Sequence, residues 1–573
     1  MTVEKKVVKN LIINLVFVLL SLIMVSVFVL SKKIYGGGDL VFHINRIDEL
    51  ANALKNNNNI IDLFSFATFN NIGNAVQQCY PNFTLIPFAI FKLLFSSPII
   101  AYYAGIVFYS YITFAIAYYS CLKMDSGARQ AFIFAVLYAF SHYRLINIFR
   151  RFAMGEWIAM SFIPLALVGA YLILFRSQSR WYLLSIGLTL IIYSHVLSLL
   201  LVVGLIIIMA VCALLFRSDH IVKRFALLIG ASFLSLILGS VEMYQIFMYV
   251  HGGNLYLPAG QATLSSSALP VKSLLANAFS NEIASYTGLE AIITFILVLL
   301  FWRKLSYVSK SASFLSVLFL ILSTTIIPWN LLATTPLETI QFPWRFLTLF
   351  SVLLAFAGAE VLENLLNMIT HHYLEKLTFI GVIASTVALG VYPLYRWQES
   401  ARQNTQAATA VNYDSVWPGS HIFNKSSYKM MSHNSTSFIY VDYWPTASVK
   451  NRDSINKKEV LLNGHQSGTI SFLSYKDNIA SFSFKANKGD AVYDLPVLFY
   501  GKRYKITVNG KATAYSKSQR STIQVVLRKG LNKIEVKRLT SKKLLAFEII
   551  SLLSWIILIV YVFKDRAKRK NEN

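Results

Sequence analysis

The chain is 573 residues long, 55% hydrophobic and only 14% charged, with 53 Lys and Arg against 27 Asp and Glu for a formal net charge of +26. A soluble enzyme carries about 25% charged residues, and a disordered chain is far poorer in apolar ones, so both classes are excluded. The three cysteines, Cys79, Cys121 and Cys212, are scattered without a CxxC pair, which supports neither a disulfide framework nor a zinc knuckle.

Crossing a bilayer takes about 20 mostly apolar residues in a helix. Runs of that kind near 11–31, 98–121, 128–148, 155–175, 181–195, 197–216, 225–244, 286–302, 312–329, 345–366, 377–395 and 544–563 predict a polytopic α-helical membrane protein with about twelve spans. The fifth and sixth share one run, 181–216, with a turn expected at Ser194 and His195. The first run is too long for a removed signal peptide and reads as a retained anchor. Positive residues favour the cytoplasmic side. The segments MTVEKKVVK, LKMDSGAR, RSQSR, RSDHIVKR, FWRK and KDRAKRK alternate onto one side, which puts both termini in the cytoplasm.

Three long segments then face outward: 32–97, 245–285 and 396–543. The third is polar and holds 24 Lys and Arg against 9 Asp and Glu, the larger part of the net charge. Its runs TISFLSY, ASFSFKA, YKITVNG and TIQVVL alternate with period two and are punctuated by NG and KG turns, the pattern of antiparallel strands. The expected organisation is a transmembrane part, 1–395, with membrane-lying helices in its first outer loop, 32–97. A β-sandwich-like extracytoplasmic domain, 396–543, follows, and then a last span with a basic tail, 544–573. Basic charge outside the cell fits an anionic surface polymer, or anionic lipid, as partner rather than nucleic acid.

The first outer loop opens with GGGDLVFHINRIDELANAL, and 80–95 reads as a second, membrane-lying helix. Asp39, His43 and Arg46 recur at steps of four and three and share one helix face. A carboxylate, an imidazole and a guanidinium grouped there suit deprotonation of an acceptor and binding of a phosphate; a solvated helix with Asp39 as N-cap is the competing reading. The next outward turn, HYRLINIFRRFAMGEWIAM, carries Arg144, Arg150, Arg151 and Glu156. Basic residues on the outer side suit a lipid phosphate, pairing with Glu156, or headgroup contact. His195 reads as a helix-end residue or a catalytic one, and Glu242 as an intramembrane carboxylate, a costly kind of group that is usually paired or functional. In TTPLETIQFPWRFLTLF, Glu338, Gln341, Trp344 and Arg345 sit at the boundary, where Arg345 suits an anionic headgroup or a sugar. Walker, HExxH and GxSxG motifs are absent.

The pattern D-x-x-F-H-x-x-R at Asp39, Phe42, His43 and Arg46, followed in order by RRFAMGEWIAMSFIPL, SHVLSLL, QFPWRFL and LPVLFYGKRYKITVNGKATAY, resembles the YfhO-like bacterial membrane proteins, also described as 6-pyruvoyl-tetrahydropterin synthase-related. A pterin synthase needs a histidine zinc triad, and the sequence offers no such cluster. The resemblance implies instead the GT-C glycosyltransferase architecture, in which a sugar passes from a polyprenyl-phosphate donor on the outer leaflet and an acidic residue of the first outer loop, here Asp39, is functional. It also implies a cell-envelope glycopolymer, such as a teichoic acid, or a lipid-linked glycan as acceptor. On that reading Asp39, His43 and Arg46 are catalytic, and Arg150, Arg151 and Arg345 hold the donor phosphate. Glu156, His195, Glu338, Gln341 and Trp344 support them. No DxD pair is present, no metal ligand is assigned, and a divalent metal stays open. The alternatives are a lipid-linked glycan transporter and a surface-polymer assembly protein.

Overall fold

The computed structural model describes residues 3–216, 219–252, 254–257, 263–283, 286–332, 334–403, 421–433 and 440–571. The chain is a polytopic α-helical membrane protein with a β-rich C-terminal region. Among the described residues eight helices are long and apolar enough to cross a bilayer, and nine if the bent pair Ala128–Ala139 and His142–Arg150 is one span. The first, α1 (Val3–Val29), turns Leu11, Leu15 and Leu19 outward, each more than half exposed. Such a row of bare leucines suits lipid rather than water.

The count falls below the expected twelve. The segments expected at 181–195, 286–302 and 312–329 are the helices Tyr182–Ile192, Leu289–Leu300 and Tyr307–Leu322, of 11, 12 and 16 residues. The first stops because His195 is extended (φ −159°) and starts the next helix, Val196–Leu215. The third stops where the Ser323 and Thr324 hydroxyls donate back to the carbonyls of Leu320 and Ile321. The run at 225–244 breaks at Gly239 into Ile221–Leu238 and Ser240–Gly252.

The helix Met154–Phe175 lies at the centre, the most enclosed of the long helices. A Cβ on Gly169 would lie 2.2 Å from the Leu184 nitrogen, and one on Gly187 2.5 Å from that of Ala166. Only glycine at both places lets this helix and Tyr182–Ile192 touch backbone to backbone, the usual packing device within bilayers. The 46° bend of the broken pair is held by a buried cation. Arg144 donates to the Ala139 carbonyl, which the end of the helix leaves open, and to Thr113 Oγ1 at 2.8 Å.

After α1 the chain forms β1 (Ile34–Gly36) and then α2 (Leu40–Lys55). β1 pairs antiparallel with β2 (His421–Phe423), which precedes a helix at Lys425–His433. The remaining strands are β3 (Glu459–Leu462), β4 (His465–Thr469), β5 (Ser471–Lys476), β6 (Ile479–Ala486), β7 (Ala491–Leu498), β8 (Tyr504–Val508), β9 (Lys511–Ala512), β10 (Tyr515–Lys517), β11 (Thr522–Leu527) and β12 (Gly530–Arg538). They form two five-stranded sheets, ordered β10-β11-β7-β3-β4 and β5-β6-β12-β8-β9. The sheets meet through their apolar faces, with Phe484 of β6 and Tyr493 of β7 in edge contact at 5.6 Å. The NG turn joins β8 to β9 with both residues left-handed (Asn509 φ 51°, Gly510 φ 78°), as a two-residue hairpin requires. The expected strands therefore appear where the alternation put them.

The β-rich region is stitched to the first loop. Leu498 N donates to the Ile72 carbonyl at 2.9 Å, Asn59 N to Asn478 Oδ1 at 2.8 Å, and Arg503 pairs with Asp62 at 3.3 Å. Inside the sheets, buried Arg520 reaches Asp494 at 2.8 Å and also donates to the carbonyls of Glu459 and Asp494. Removing one partner of such a pair strands the other charge. Arg520→Ala is expected to destabilise the β-rich region by about 3–5 kcal/mol, read as an early loss of β-sheet signal in thermal circular dichroism of the purified protein. An unchanged melting profile would refute this.

Candidate active site

The site begins with the glycines that leave α1. Gly38 is left-handed (φ +49°), and a Cβ there would sit 2.4 Å from the Arg151 carbonyl oxygen; one on Gly37 would sit 3.0 Å from that of Arg150. The chain thus presses against the turn at Arg150–Arg151, and Asp39 N donates to the Arg151 carbonyl at 2.8 Å. That turn follows a π-helical segment, Ile146–Arg150, a local geometry often found at functional sites.

Asp39 occupies the N-cap position of α2, but its side chain makes no capping hydrogen bond. The capping reading is therefore replaced: the carboxylate is left for other work. Solvent reaches it, yet enough protein surrounds it to desolvate the carboxylate, as for a group at the edge of a crevice. That crowding raises its pKa above the usual aspartate value, and the Arg151 and Arg345 guanidiniums pull against the rise.

His43 and Arg46 share the Asp39 face of the helix, as the spacing predicts, but both point into packed protein. Arg46 is fully buried, donates to the carbonyls of Tyr80 (2.9 Å) and Pro81 (2.7 Å), and lies 4.5 Å from the centre of the Tyr80 ring. His43 stands 3.4 Å from Arg46 and against the rings of Tyr80 and Phe152. Burial, then Arg46 and His195, hold its pKa well below that of a free imidazole. The other face of α2 is anchored as firmly. Glu49 accepts from the backbone amides of Phe66, Ala67 and Thr68, and Asp48 from Tyr428 Oη at 2.7 Å while pairing with Lys92 at 3.2 Å.

Opposite Asp39, buried Glu156 gathers two buried guanidiniums, Arg151 at 3.5 Å and Arg345 at 3.7 Å, and accepts from the hydroxyls of Tyr143 and Thr348. Arg345 also donates to the Ile340 carbonyl and to Gln341 Oε1 at 2.8 Å. Its Nε and that of Arg151 lack a hydrogen-bond partner. Trp344 stacks on Phe342 (4.5 Å) and Tyr286 (5.1 Å) and lies beneath Arg151. His195 caps the helix Val196–Leu215: its Nδ1 accepts from Ser198 N at 3.3 Å, so Nε2 carries the ring proton.

The structure thus brings together Asp39, Arg151, Glu156, His195, Gln341, Trp344 and Arg345. It leaves out Arg150, whose side chain is exposed, and Glu338, exposed on the 3-10 turn Pro336–Ile340. Glu242 accepts from Asn82 N at 3.1 Å and ties down the first loop. Two site residues were not singled out from sequence. Tyr80 touches Phe42, His43, Arg46 and His195; the helix expected over 80–95 begins only at Ile86. Asp442 follows Tyr440, whose ring lies 5.5 Å from Phe42. Burial, with Asp39 as the next cause, pushes its pKa up to about 6. Among the described residues no three His, Cys, Asp or Glu side chains converge as ligands for a metal ion.

The chain is similar to solved structures, among them that of the arabinofuranosyltransferase AftD from Mycobacteria, determined by single-particle cryo-EM, with 16% identity and a TM-score of 0.43. The match covers 69% of this chain and 28% of that one, so the chain spans less than a third of its neighbour's length. No protein-family model and no curated protein matches the chain.

The Gly38 contact generates a prediction. Gly38→Ala adds a Cβ against the Arg151 carbonyl at a φ that L-residues avoid. It is expected to cost about 1–3 kcal/mol and to lower the thermal midpoint of the detergent-purified protein; a midpoint equal to wild type would remove the contact from the account.

Proposed function

We propose that the chain is a membrane glycosyltransferase of the GT-C kind. It moves a sugar from a polyprenyl-phosphate donor to a cell-envelope glycopolymer or lipid-linked glycan on the outer face of a bacterial membrane. The observation that carries this reading is an uncapped, solvent-reached Asp39 carboxylate in the field of two buried guanidiniums, Arg151 and Arg345. Such a set joins a proton acceptor to an anion holder at the boundary of the apolar helices.

The acceptor hydroxyl oxygen bonds to the anomeric carbon from the side opposite the phosphate. The bond from that carbon to the phosphate oxygen breaks, its electron pair leaves with the polyprenyl phosphate, and Asp39 takes the hydroxyl proton. The configuration at carbon inverts. Arg151 and Arg345 face the charge that grows on the departing phosphate, with Glu156 holding both in place. His43 and Arg46 act as positioning residues for α2 rather than as contacts to substrate. The β-rich region, 396–543, with its basic surface, recruits the anionic polymer as an extracytoplasmic domain. Both termini are cytoplasmic.

Asp39→Asn keeps the shape of the side chain and removes the base. It is expected to lower transfer by at least about 100-fold while the protein inserts normally. The assay compares surface glycans of a deletion strain carrying wild type or the variant. Full rescue by the variant refutes the assignment. The pH dependence has a definite sign. Asp39 must be ionised to accept the proton, and its pKa is raised. Activity should therefore fall as pH drops through a midpoint above the normal aspartate value of about 4; a purified enzyme still at full rate below that point would contradict the base role.

A further inference from the structure

A lysine-lined pocket shares no lining residue with the Asp39 constellation described above. It measures about 810 Å³ and sits between the exit of α1, the start of the helix Pro98–Cys121 and the start of the helix Lys425–His433. Lys32, Lys425 and Lys429 all line it, and all three are exposed. Lys425 and Lys429 are four residues apart and so project from one face of their helix. Among the described residues none of the three has a carboxylate partner. Three ammonium groups around one pocket repel one another, and an anion between them relieves that cost.

Below the lysines the floor becomes apolar. Val29 and Ile100 belong both to this pocket and to a groove of about 420 Å³ that continues along α1 and the helix Pro98–Cys121. Val18, Leu22, Val25 and Val107 line that groove with hardly any polar surface. Val18–Val29 lie inside the membrane-crossing part of α1, so the groove runs at hydrocarbon depth. A soluble anion would use the lysines and leave the groove empty. A lipid with a phosphate headgroup fills both, its charge among the lysines and its chain between the two helices.

We infer that this pocket and groove form a binding site for an anionic phospholipid of the leaflet on the β-rich side, held by Lys32, Lys425 and Lys429. This inference does not depend on the glycosyl-transfer reading. It is tested on the purified full chain by native mass spectrometry with added phosphatidylglycerol or phosphatidylcholine. Wild type should retain phosphatidylglycerol in preference. The triple variant Lys32→Gln, Lys425→Gln, Lys429→Gln should lose at least about tenfold in that affinity. The triple Lys→Arg variant, which keeps the charges, should retain it. Ala104→Trp, which fills the groove, should weaken lipid binding and leave any competition by inorganic phosphate unchanged. Equal retention of the two lipids overturns the inference. So does undiminished binding by the Gln variant, or a loss produced by Arg345→Gln instead, which would put the lipid in the Asp39 crevice. Binding of inorganic phosphate as tight as that of the lipid overturns it too, because the groove would then contribute nothing.

Discussion

The backbone contact between Gly37–Asp39 and the carbonyls of Arg150 and Arg151 fixes everything built around it. Two stretches of chain more than a hundred residues apart are pressed together where no side chain fits between them. α2 leaves that contact in a set direction, and Arg151 is brought to Asp39 by main chain rather than by flexible side chains. The remaining charges of α2 then lock its roll: Arg46 on Tyr80 and Pro81, Glu49 on three amides, Asp48 on Lys92 and Tyr428. Buried ionic groups of this kind are costly unless fully partnered, and here their partners come from the first loop and the segment beyond β2.

The broken helix Ala128–Ala139 and His142–Arg150 serves the same end. The bend, with Arg144 closing the open Ala139 carbonyl, turns the chain back so that Glu156 can begin the central helix beside the arginines. Arg345 arrives from a third place, after a Gln341 with φ +65°. The residues gathered around Asp39 therefore come from the beginning, middle and end of the helical part.

Much of this was legible in the sequence because it depends on local pattern. The apolar runs, the strand alternation, the NG turn and the shared face of Asp39, His43 and Arg46 follow from periodicities of 3.6 and 2. What the pattern lacked was long-range. Spacing put Arg46 on the Asp39 face but could not show that the Tyr80 and Pro81 carbonyls would take its donors. Nothing near Tyr80 or Asp442 marks either as a neighbour of residue 39, since each arrives by tertiary packing alone. Apolar runs do not reveal where serine and threonine hydroxyls, or an extended histidine, end a helix, so three expected spans are shorter helices than their runs suggest.

The crevice also has a charge balance. Two carboxylates, Asp39 and Glu156, act on the guanidiniums of Arg151 and Arg345, and Asp442 is a third carboxyl near Asp39, so the cluster carries no excess of positive charge. An anion that settles on the arginines tips this balance to negative. Carboxyls within the field of those arginines, Asp39 among them, hold a proton more strongly as negative charge accumulates. On the reading proposed above, a phosphate seated on the arginines would make Asp39 the stronger base.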